Sequence, residues 1–285
     1  MSHETDIPST RARHFAIACL AVIPALIAAC SVGDSTLRLT TIANEGVMVD
    51  VGSHRILIDA LFDSPNPAYL APPPGLLEKM VAGEAPFGDI DLGLVTHSHP
   101  DHFRASVAER FLLGNPRAVL VAPMDAVEML RDSAEHWSVY EDRVVPIDLG
   151  VGEHSTRVHA GIQVHAFRTL HSGERESPMN VMYRVEMGGW TVFHEGDSDY
   201  EVNSFRAVVE EGVAIDLALV HFWFPFSEVG RQILDILAPE HVGLIHYPIE
   251  ELEDFPVGSF RSLKGHYRLL REPGQVSELA KREEP

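Results

Sequence analysis

Three histidines and one aspartate lie within the six residues from His97 to His102. His97 and His99 are separated by a single residue, so on an extended backbone both side chains can face the same way. Pro100 suits the first turn of a helix, which would place Asp101 and His102 in or near that turn. Imidazole and carboxylate groups are the ligands that zinc takes where no thiolate is offered. The stretch therefore predicts a metal site and not a solvated loop.

Further ligand-type side chains occur later in the chain. His171 lies in the loop "TLHSG", Asp197 follows Gly196 after an apolar run, and His246 lies near the end of "HVGLIHY". Taken alone, each has an ordinary interpretation: a solvent-facing turn residue, a turn-forming aspartate, and a structural histidine at a strand end. Asp59 ends the run "RILIDA". We expect it to accept a hydrogen bond from a ligating histidine, with a structural role in a turn as the alternative.

The elements that would position these residues follow from the apolar pattern. Residues 37–60 are predicted to form three strands in a meander, and strand and helix units alternate from Asp89 onward. A second block of strands is predicted over 143–196, followed by further alternating units. The metal-ligand stretch follows the predicted strand 92–96 and precedes the predicted helix 106–114, which is where α/β sheets build their sites. This order of elements predicts two packed sheets with helices outside.

Length and charge limit the possible classes of protein. The chain has 285 residues, enough for one large domain or two small ones. Because it shows no repeat and no second linker, we predict a single domain over residues 37–285. The chain carries 42 acidic and 22 basic residues, a formal net charge of −20. Such a field repels nucleic acid, so no nucleic-acid partner is expected.

Residues 1–29 are predicted to be a signal peptide. Basic residues at 11–14 precede an apolar run over 15–30, which is too short to span a bilayer comfortably and is broken by Pro24. If the signal were removed, Cys19 would leave with it and one cysteine would remain. No internal disulfide and no thiolate metal site would then be possible.

The end of the predicted signal, "LIAAC" (26–30), resembles the lipobox of bacterial lipoproteins. The resemblance implies that Cys30 is lipidated and that residues 30–36 form a linker after it. It also implies export and a lipid anchor in a bacterial membrane, on the periplasmic or extracellular face. An ordinary secreted protein or a short membrane anchor are the alternatives.

The stretch "THSHPDH" resembles the H-x-H-x-D-H signature of the metallo-β-lactamase fold superfamily, and His171, Asp197 and His246 occur in the order that this family shows. Residues 44–62 also resemble its opening strands, so the resemblance covers nearly the whole chain from Leu37. It is closer to the lactonase and phosphodiesterase branches than to antibiotic-resistance enzymes. The resemblance implies an α/β fold: an αββα sandwich of two mixed β-sheets flanked by helices, with a metal site at one edge.

The resemblance also implies a dinuclear site for two divalent metal ions, Zn²⁺ first, with Mn²⁺ or Fe²⁺ as alternatives. Two such ions about 3.5–4 Å apart can share a water and lower its pKa from about 15.7 toward 7. The resulting bridging hydroxide is the expected nucleophile. The implied ligands are His97, His99 and His171 for one ion, Asp101, His102 and His246 for the other, and Asp197 as the bridge.

The expected function is that of a metal-dependent hydrolase that cleaves an ester, lactone or phosphodiester bond in a small-molecule or lipid substrate. Asp101 and Asp197 would orient the hydroxide or move its proton. His221 follows the apolar run "DLALV" and is loosely similar to a histidine of the ribonuclease Z branch that assists the leaving group. The acidic residue expected next to it is Phe222. Packing among the aromatic residues 222–224 is the alternative role for His221.

Several other functions remain open at this point. One is a phosphodiesterase that acts on lipid head groups at the membrane, with "HFWFPF" (221–226) as a pocket wall in place of simple core packing. Others are a β-lactamase proper, a metal-binding lipoprotein without catalytic activity, and an oxidoreductase that holds a diiron pair with the same ligands. The complete ligand set argues against a degenerate binder. The fold alone does not select the bond that is cleaved.

Overall fold

The computed structural model describes Met1 and residues 36–63, 67–173, 178–250 and 266–281. All elements below belong to one compact unit, Gly33–Pro285. Residues 2–35 lie outside the described residues. They include the predicted signal peptide except for Met1, the candidate lipidation site Cys30 and nearly all of the predicted linker. In the part of the chain that is described, no helix combines the length and the apolar character needed to cross a bilayer.

The described strands form two sheets of seven strands each. The first has the order β14-β1-β2-β3-β4-β5-β6 and is antiparallel from β14 to β3 and parallel from β3 to β6. Its strands are β1 (Leu37–Ala43), β2 (Gly46–Val51), β3 (His54–Ile58), β4 (Leu92–Leu94), β5 (Val119–Pro123), β6 (Val144–Ile147) and β14 (Val276–Leu279).

The second sheet has the order β13-β12-β11-β10-β9-β8-β7. It is parallel from β13 to β10 and antiparallel from β10 to β7, so each sheet is half parallel and half meander. Its strands are β7 (His154–His159), β8 (Ile162–Thr169), β9 (Asn180–Met187), β10 (Trp190–His194), β11 (Leu217–His221), β12 (His241–Ile245) and β13 (Tyr267–Leu269).

Helices cover the outer faces of both sheets. Three short 3₁₀ turns accompany them, at Glu141–Arg143, Glu210–Gly212 and Phe224–Phe226. The helices are α1 (Pro74–Ala82), α2 (Ala105–Gly114), α3 (Met124–Ser133), α4 (Trp137–Tyr140), α5 (Val202–Val208) and α6 (Glu228–Leu237).

Strand alternation divides the apolar side chains among three cores. In β11, Leu217 and Leu219 belong to the core between the sheets, while Ala218 and Val220 belong to the core under α5 and α6. A third core lies between the first sheet and α1, α2 and α3. Strands buried on both faces read as continuous apolar runs, which is why the parallel strands show no polar alternation. The structure therefore confirms the predicted αββα sandwich of two mixed sheets flanked by helices.

The predicted elements agree with the structure except at a few short segments. Four short elements, β7, β13, β14 and α4, were not predicted. β7 is an edge strand with mostly exposed side chains, and its sequence "HSTRVH" has no apolar face. An edge strand of this kind leaves no hydrophobic signal in the sequence.

The parallel strands end at one edge of the sandwich, and the candidate ligands follow those ends. Asp59 follows β3, His97 follows β4, Asp197 follows β10, and His246 follows β12. His171 follows the long strand β8 of the second sheet. The topology thus brings together residues that lie far apart in the chain, at the position where open α/β sheets bind their ligands.

Candidate metal centre

The turn that carries the first motif folds back on itself after β4. The backbone N–H groups of His102 and Phe103 both donate to the carbonyl of His99, at 3.0 and 2.8 Å. The rings of His97 and His102 lie 3.9 Å apart, and the rings of His97 and His99 lie 4.8 Å apart, measured between centroids. The three histidines of the motif therefore converge on one place, as their spacing predicts.

Three of the candidate ligands are held by their Nδ1 atoms. His102 donates from Nδ1 to Asp59 Oδ2 at 2.9 Å, and His171 donates from Nδ1 to the carbonyl of Ser172 at 2.7 Å. His97 Nδ1 lies 3.1 Å from the hydroxyl of Thr96. These contacts fix the ring orientations and leave each Nε2 atom directed into the centre, as hydrogen bonds behind metal-binding histidines commonly do.

Asp197 lies between two groups of imidazole nitrogens. Its Oδ2 atom is 3.4 Å from His171 Nε2 and 3.8 Å from His97 Nε2. Its Oδ1 atom is 3.7 Å from both His102 Nε2 and His246 Nε2. The two oxygens of one carboxylate thus face the two ligand groups that the sequence assigns to two ions, which is the arrangement a bridging ligand requires.

The turn before Asp197 is shaped by close backbone contacts. Gly196 has φ +57°, and a Cβ atom there would lie 2.7 Å from Thr96 Cβ and 2.8 Å from Asn180 Oδ1. The backbone N–H of Asp197 donates to Asn180 Oδ1 at 3.1 Å, and its carbonyl accepts from the N–H of Ser172 at 2.8 Å. Only glycine fits at position 196, and the turn ties the Asp197 loop to the loop of His171.

Several residues of the centre have a left-handed backbone conformation. Asn44, Asp59 and His246 have φ values of +47°, +47° and +60°. Such values are uncommon for residues other than glycine, and for histidine at a strand end they cost free energy. The Tyr69 ring lies 4.3 Å from the His246 ring between centroids and covers it on one side. Three residues of this pocket, two of them singled out from the sequence, therefore have this conformation, as do Asp89, Ala160, Tyr200 and Ala238 among the described residues.

Asp101 lies at the border of the second ligand group. Its Oδ2 atom is 3.9 Å from His102 Nε2 and 4.0 Å from His246 Nε2, and it accepts a hydrogen bond from Asn44 Nδ2 at 3.3 Å. The structure therefore places all seven residues of the predicted ligand set around one pocket.

Two buried glutamates of the centre were not predicted. Glu45 lies in the turn between β1 and β2 and belongs to a group of donor atoms, with His102, Asp197 and His246, that all lie within 4.8 Å of one another. Glu195, at the end of β10, is also fully buried. Each lies between a polar residue and a glycine at the end of an apolar run, so both read as ordinary turn residues.

His221 is held in the centre by Glu195. Its backbone N–H and its Nδ1 atom each lie 2.6 Å from Glu195 Oε1. Its Nε2 atom is 3.8 Å from Asp197 Oδ1 and 3.5 Å from the hydroxyl of Tyr200. The resemblance leads one to expect an acidic residue at position 222. In this chain the acidic partner of His221 is Glu195, which follows the neighbouring strand β10. His221 also stacks on Phe224, which is buried in the core, so it makes the aromatic packing contact that the sequence offered as one alternative and also lies beside the carboxylate of Asp197.

The pocket shifts the protonation equilibria of these groups. Burial, reinforced by His102, lowers the pKa of His97 well below its usual range. Burial likewise lowers the pKa of His246, with Asp197 opposing the shift. For Asp197, burial favours the neutral acid, but His246, His102 and His97 outweigh it and hold the pKa of this carboxyl well below its usual value. Neutral His97 and His246 beside an ionised Asp197 are protonation states that can bind a cation, whereas for His102 burial is outweighed by Asp197 and Asp59, which raise its pKa to about 9.

The unpartnered atoms of the pocket provide a test of whether a metal fits. Buried polar atoms in folded proteins nearly always have hydrogen-bond partners, yet several buried nitrogen and oxygen atoms directed into this pocket have none among the described residues. Their types are the nitrogen and oxygen donors that zinc and related divalent cations accept. The atoms are Nε2 of His97, His102, His171 and His246, Oδ1 of Asp197, and both carboxylate oxygens of Glu45.

The sequence matches the family described as the beta-lactamase superfamily domain over residues 54–251. A metal-dependent hydrolase of Pyrococcus furiosus is 28% identical over 234 residues, which cover 80% of this chain and 93% of the relative. A metal-dependent hydrolase of Saccharolobus solfataricus is 27% identical over 198 residues, or 67% of this chain and 82% of the relative.

Among solved structures, the metallo hydrolase Igni18 of Ignicoccus hospitalis aligns with a TM-score of 0.61 at 18% identity. The alignment covers 87% of this chain and all of that chain. At so low an identity, the likeness bears on the fold alone, which it supports.

We predict that Asp59→Asn weakens metal binding while the protein stays folded. Asparagine tolerates the positive φ of this position, but it cannot replace a carboxylate that accepts from both Thr96 and His102. Zinc affinity, measured by competition with a chromogenic chelator, is expected to fall about 10–100-fold. Asp50→Asn, which alters a carboxylate paired with Arg55 outside the pocket, serves as the control. Unchanged affinity in Asp59→Asn would leave this residue only a structural role in the turn.

Proposed function

The chain belongs to the beta-lactamase superfamily as a metal-dependent hydrolase, and on this premise we propose that it uses two divalent metal ions, Zn²⁺ first, to cleave an ester, lactone or phosphodiester bond. The first ion would be held by His97, His99 and His171. The second would be held by the remaining ligands of the predicted set, with Asp197 shared between the two ions.

One observation carries this proposal: the two oxygens of the Asp197 carboxylate face separate groups of unpartnered Nε2 atoms at 3.4–3.8 Å. A site for a single ion would need only one such group of nitrogen ligands. A cluster of structural histidines would have satisfied its nitrogens with hydrogen bonds. A purely metal-binding protein would not need His221, a further imidazole directed at the same carboxylate but held in place by a separate glutamate.

Two bound cations would supply an activated water and an electrophile that polarises the bond to be cleaved. The chain's own residues would do the remaining work. Asp101 accepts from Asn44 and borders the second ligand group, so it can orient a water and receive its proton. Tyr69 covers His246, and burial, with Asp197 and Asp101, raises its pKa to about 12. Its hydroxyl therefore stays protonated and can donate a hydrogen bond to a substrate.

We propose His221 as the residue that protonates the leaving group. Glu195 accepts from Nδ1, which directs Nε2 toward Asp197. Burial alone would lower the pKa of His221, but Glu195 outweighs it and raises that pKa. An imidazole with a raised pKa holds a proton more readily near neutral pH and can transfer it to a departing alkoxide, an effect worth roughly 10²–10⁴ in rate.

We further propose that the protein is exported and anchored by lipidation of Cys30, with the catalytic domain beginning near Leu37. The support comes from the sequence alone, "LIAAC" after a short apolar run. A tether of this kind would keep the hydrolase at a membrane surface, where both small molecules and lipids are available as substrates.

The purified wild-type protein is expected to hold about two zinc ions per chain and to hydrolyse at least one chromogenic ester, lactone or phosphodiester in a metal-dependent manner. Asp197→Ala should lose at least one ion and most of the activity, because both ligand groups depend on its carboxylate. Asp132→Ala, at an exposed position on α3, is the control. Elemental analysis and a substrate screen give the readouts. A metal content near zero after growth with zinc, iron and manganese would refute the two-ion site.

His221→Ala is expected to keep its metal content while kcat falls at least about tenfold, with a smaller loss for substrates that have good leaving groups. The reason is that a good leaving group departs without a proton. The measurement is kcat over a series of phenyl esters or phosphodiesters of graded leaving-group pKa. Phe224→Leu, which alters the ring under His221, should lower thermal stability without changing the leaving-group dependence. An equal loss over the whole series would rule out the role as general acid.

Cys30→Ser is expected to release the protein from the membrane fraction or to leave its signal uncleaved. Cys19→Ser, within the same apolar run, is the matched control and should behave as wild type. Fractionation followed by mass spectrometry of the N-terminus gives the readout. Wild-type protein that is fully soluble and begins at Met1 would overturn the proposed anchor.

A further inference from the structure

Glu45 belongs to no motif of the sequence, yet its side chain is completely buried in the pocket. Neither carboxylate oxygen has a hydrogen-bond partner among the described residues. Oε2 lies 3.6 Å from His102 Nδ1, which already donates to Asp59, and Oε1 lies 3.7 Å from His221 Nε2. A buried carboxylate without a partner requires an explanation, because a polar group in this position is strongly unfavourable unless something compensates it.

The fold holds Glu45 firmly in this position. A Cβ atom on the next residue, Gly46, would lie 2.7 Å from the carbonyl oxygen of Asp59, so only glycine lets the turn approach the end of β3 this closely. His194 donates from Nε2 to the carbonyl of Glu45 at 3.3 Å, and its Nδ1 accepts from the N–H of Gly196 at 3.1 Å. The Glu45 turn is thus tied to the turn that presents Asp197.

The surroundings of Glu45 are acidic. One carboxylate oxygen of Glu45 lies within 4.8 Å of a carboxylate oxygen of Asp197, and Glu45 and Asp59 likewise have carboxylate oxygens within 4.8 Å of each other. A glutamine or a methionine would fill the same space without this electrostatic cost. A carboxylate is favoured at this point of the pocket only when a positive charge lies beside it.

We propose that Glu45 is a ligand of the second metal ion, together with His102, Asp197 and His246. The inference rests on the proposed two-ion site and extends its ligand set beyond the motif residues. It is carried by the donor atoms of these four residues, which all lie within 4.8 Å of one another. Asp101, the acidic ligand that the motif provides, is already engaged by Asn44 and lies outside that close group. Glu45 would supply the carboxylate within that close group.

The test compares zinc binding and thermal unfolding of Glu45→Gln with those of the wild-type protein. Glutamine keeps the volume and removes the charge. In the variant, one of the two zinc ions is expected to bind at least about 100-fold more weakly than in the wild-type protein. This loss would exceed the usual effect of removing a hydrogen bond that only orients a metal ligand. After chelation, the variant should unfold at the same temperature as the wild type or higher, because an uncompensated buried carboxylate has been removed. The rise in unfolding temperature on adding zinc should be smaller.

Glu195→Gln is the matched control. It removes another fully buried carboxylate of the same pocket, but one that is hydrogen-bonded to His221 and lies outside the close donor group. It should keep both zinc ions. Equal loss of zinc in both variants would show a general charge effect and overturn the assignment of Glu45 as a ligand.

Two other outcomes would refute the proposal. Wild-type protein without zinc would refute the two-ion site and this inference together, whereas two ions bound with unchanged affinity in Glu45→Gln would refute this inference alone.

If Glu45→Gln does not fold, Glu45→Asp is used, since it keeps the negative charge but has a shorter side chain. Weaker zinc binding with an unchanged unfolding temperature after chelation supports the assignment, and wild-type affinity in Glu45→Asp overturns it.

Discussion

The desolvated carboxylate of Asp197 is the constraint on which the rest of the centre depends. It lies among four imidazoles whose Nε2 atoms have no other partner, in a pocket closed by both sheets. Removing an ionised group from water costs several kcal/mol even after relaxation, and each unsatisfied imidazole adds to this cost. Binding of cations to the folded state alone would offset the cost, since a ligand that binds only the native state stabilises it by mass action. The centre is therefore built for an occupied state.

The sandwich fold meets this constraint by bringing strand ends together. Asp59, His97, Asp197 and His246 follow strands whose side chains belong to the three cores, so core packing helps to fix their positions together with the hydrogen bonds of the turns. The left-handed conformations at Asn44, Asp59 and His246 show where the chain bends sharply to aim a side chain inward. Strain at three residues of one pocket is stable only because the surrounding sheets and hydrogen bonds over-determine it.

The fold and the candidate ligands from His97 to His102 could be predicted from sequence because their signals are local, whereas His171, Asp197 and His246 were expected only from the family resemblance. Apolar runs gave the strands, and three histidines with an aspartate in six residues gave the centre of the site. Glu45 and Glu195 could not be predicted, because their burial arises from tertiary contacts: the approach of Gly46 to Asp59, and the pairing of β10 with β11 that sets Glu195 beside His221. The exposed edge strand β7 was missed for a related reason, since it packs no apolar face.

The charge balance of the pocket links the ligand set to the class of reaction. Two divalent ions would carry four positive charges, and Asp101, Asp197 and Glu45 would carry three negative ones, since the buried histidines bind metal in their neutral form. Asp59 and Glu195 are engaged with His102 and His221 and do not face the ions directly. The occupied pocket would then keep one positive charge, which the bridging hydroxide would balance before attack and the anionic oxygen that develops on a carbonyl or phosphoryl group would balance afterwards. Without Glu45, the ions and the remaining carboxylates would together keep two positive charges. Such a charge would favour tight binding of anions over turnover.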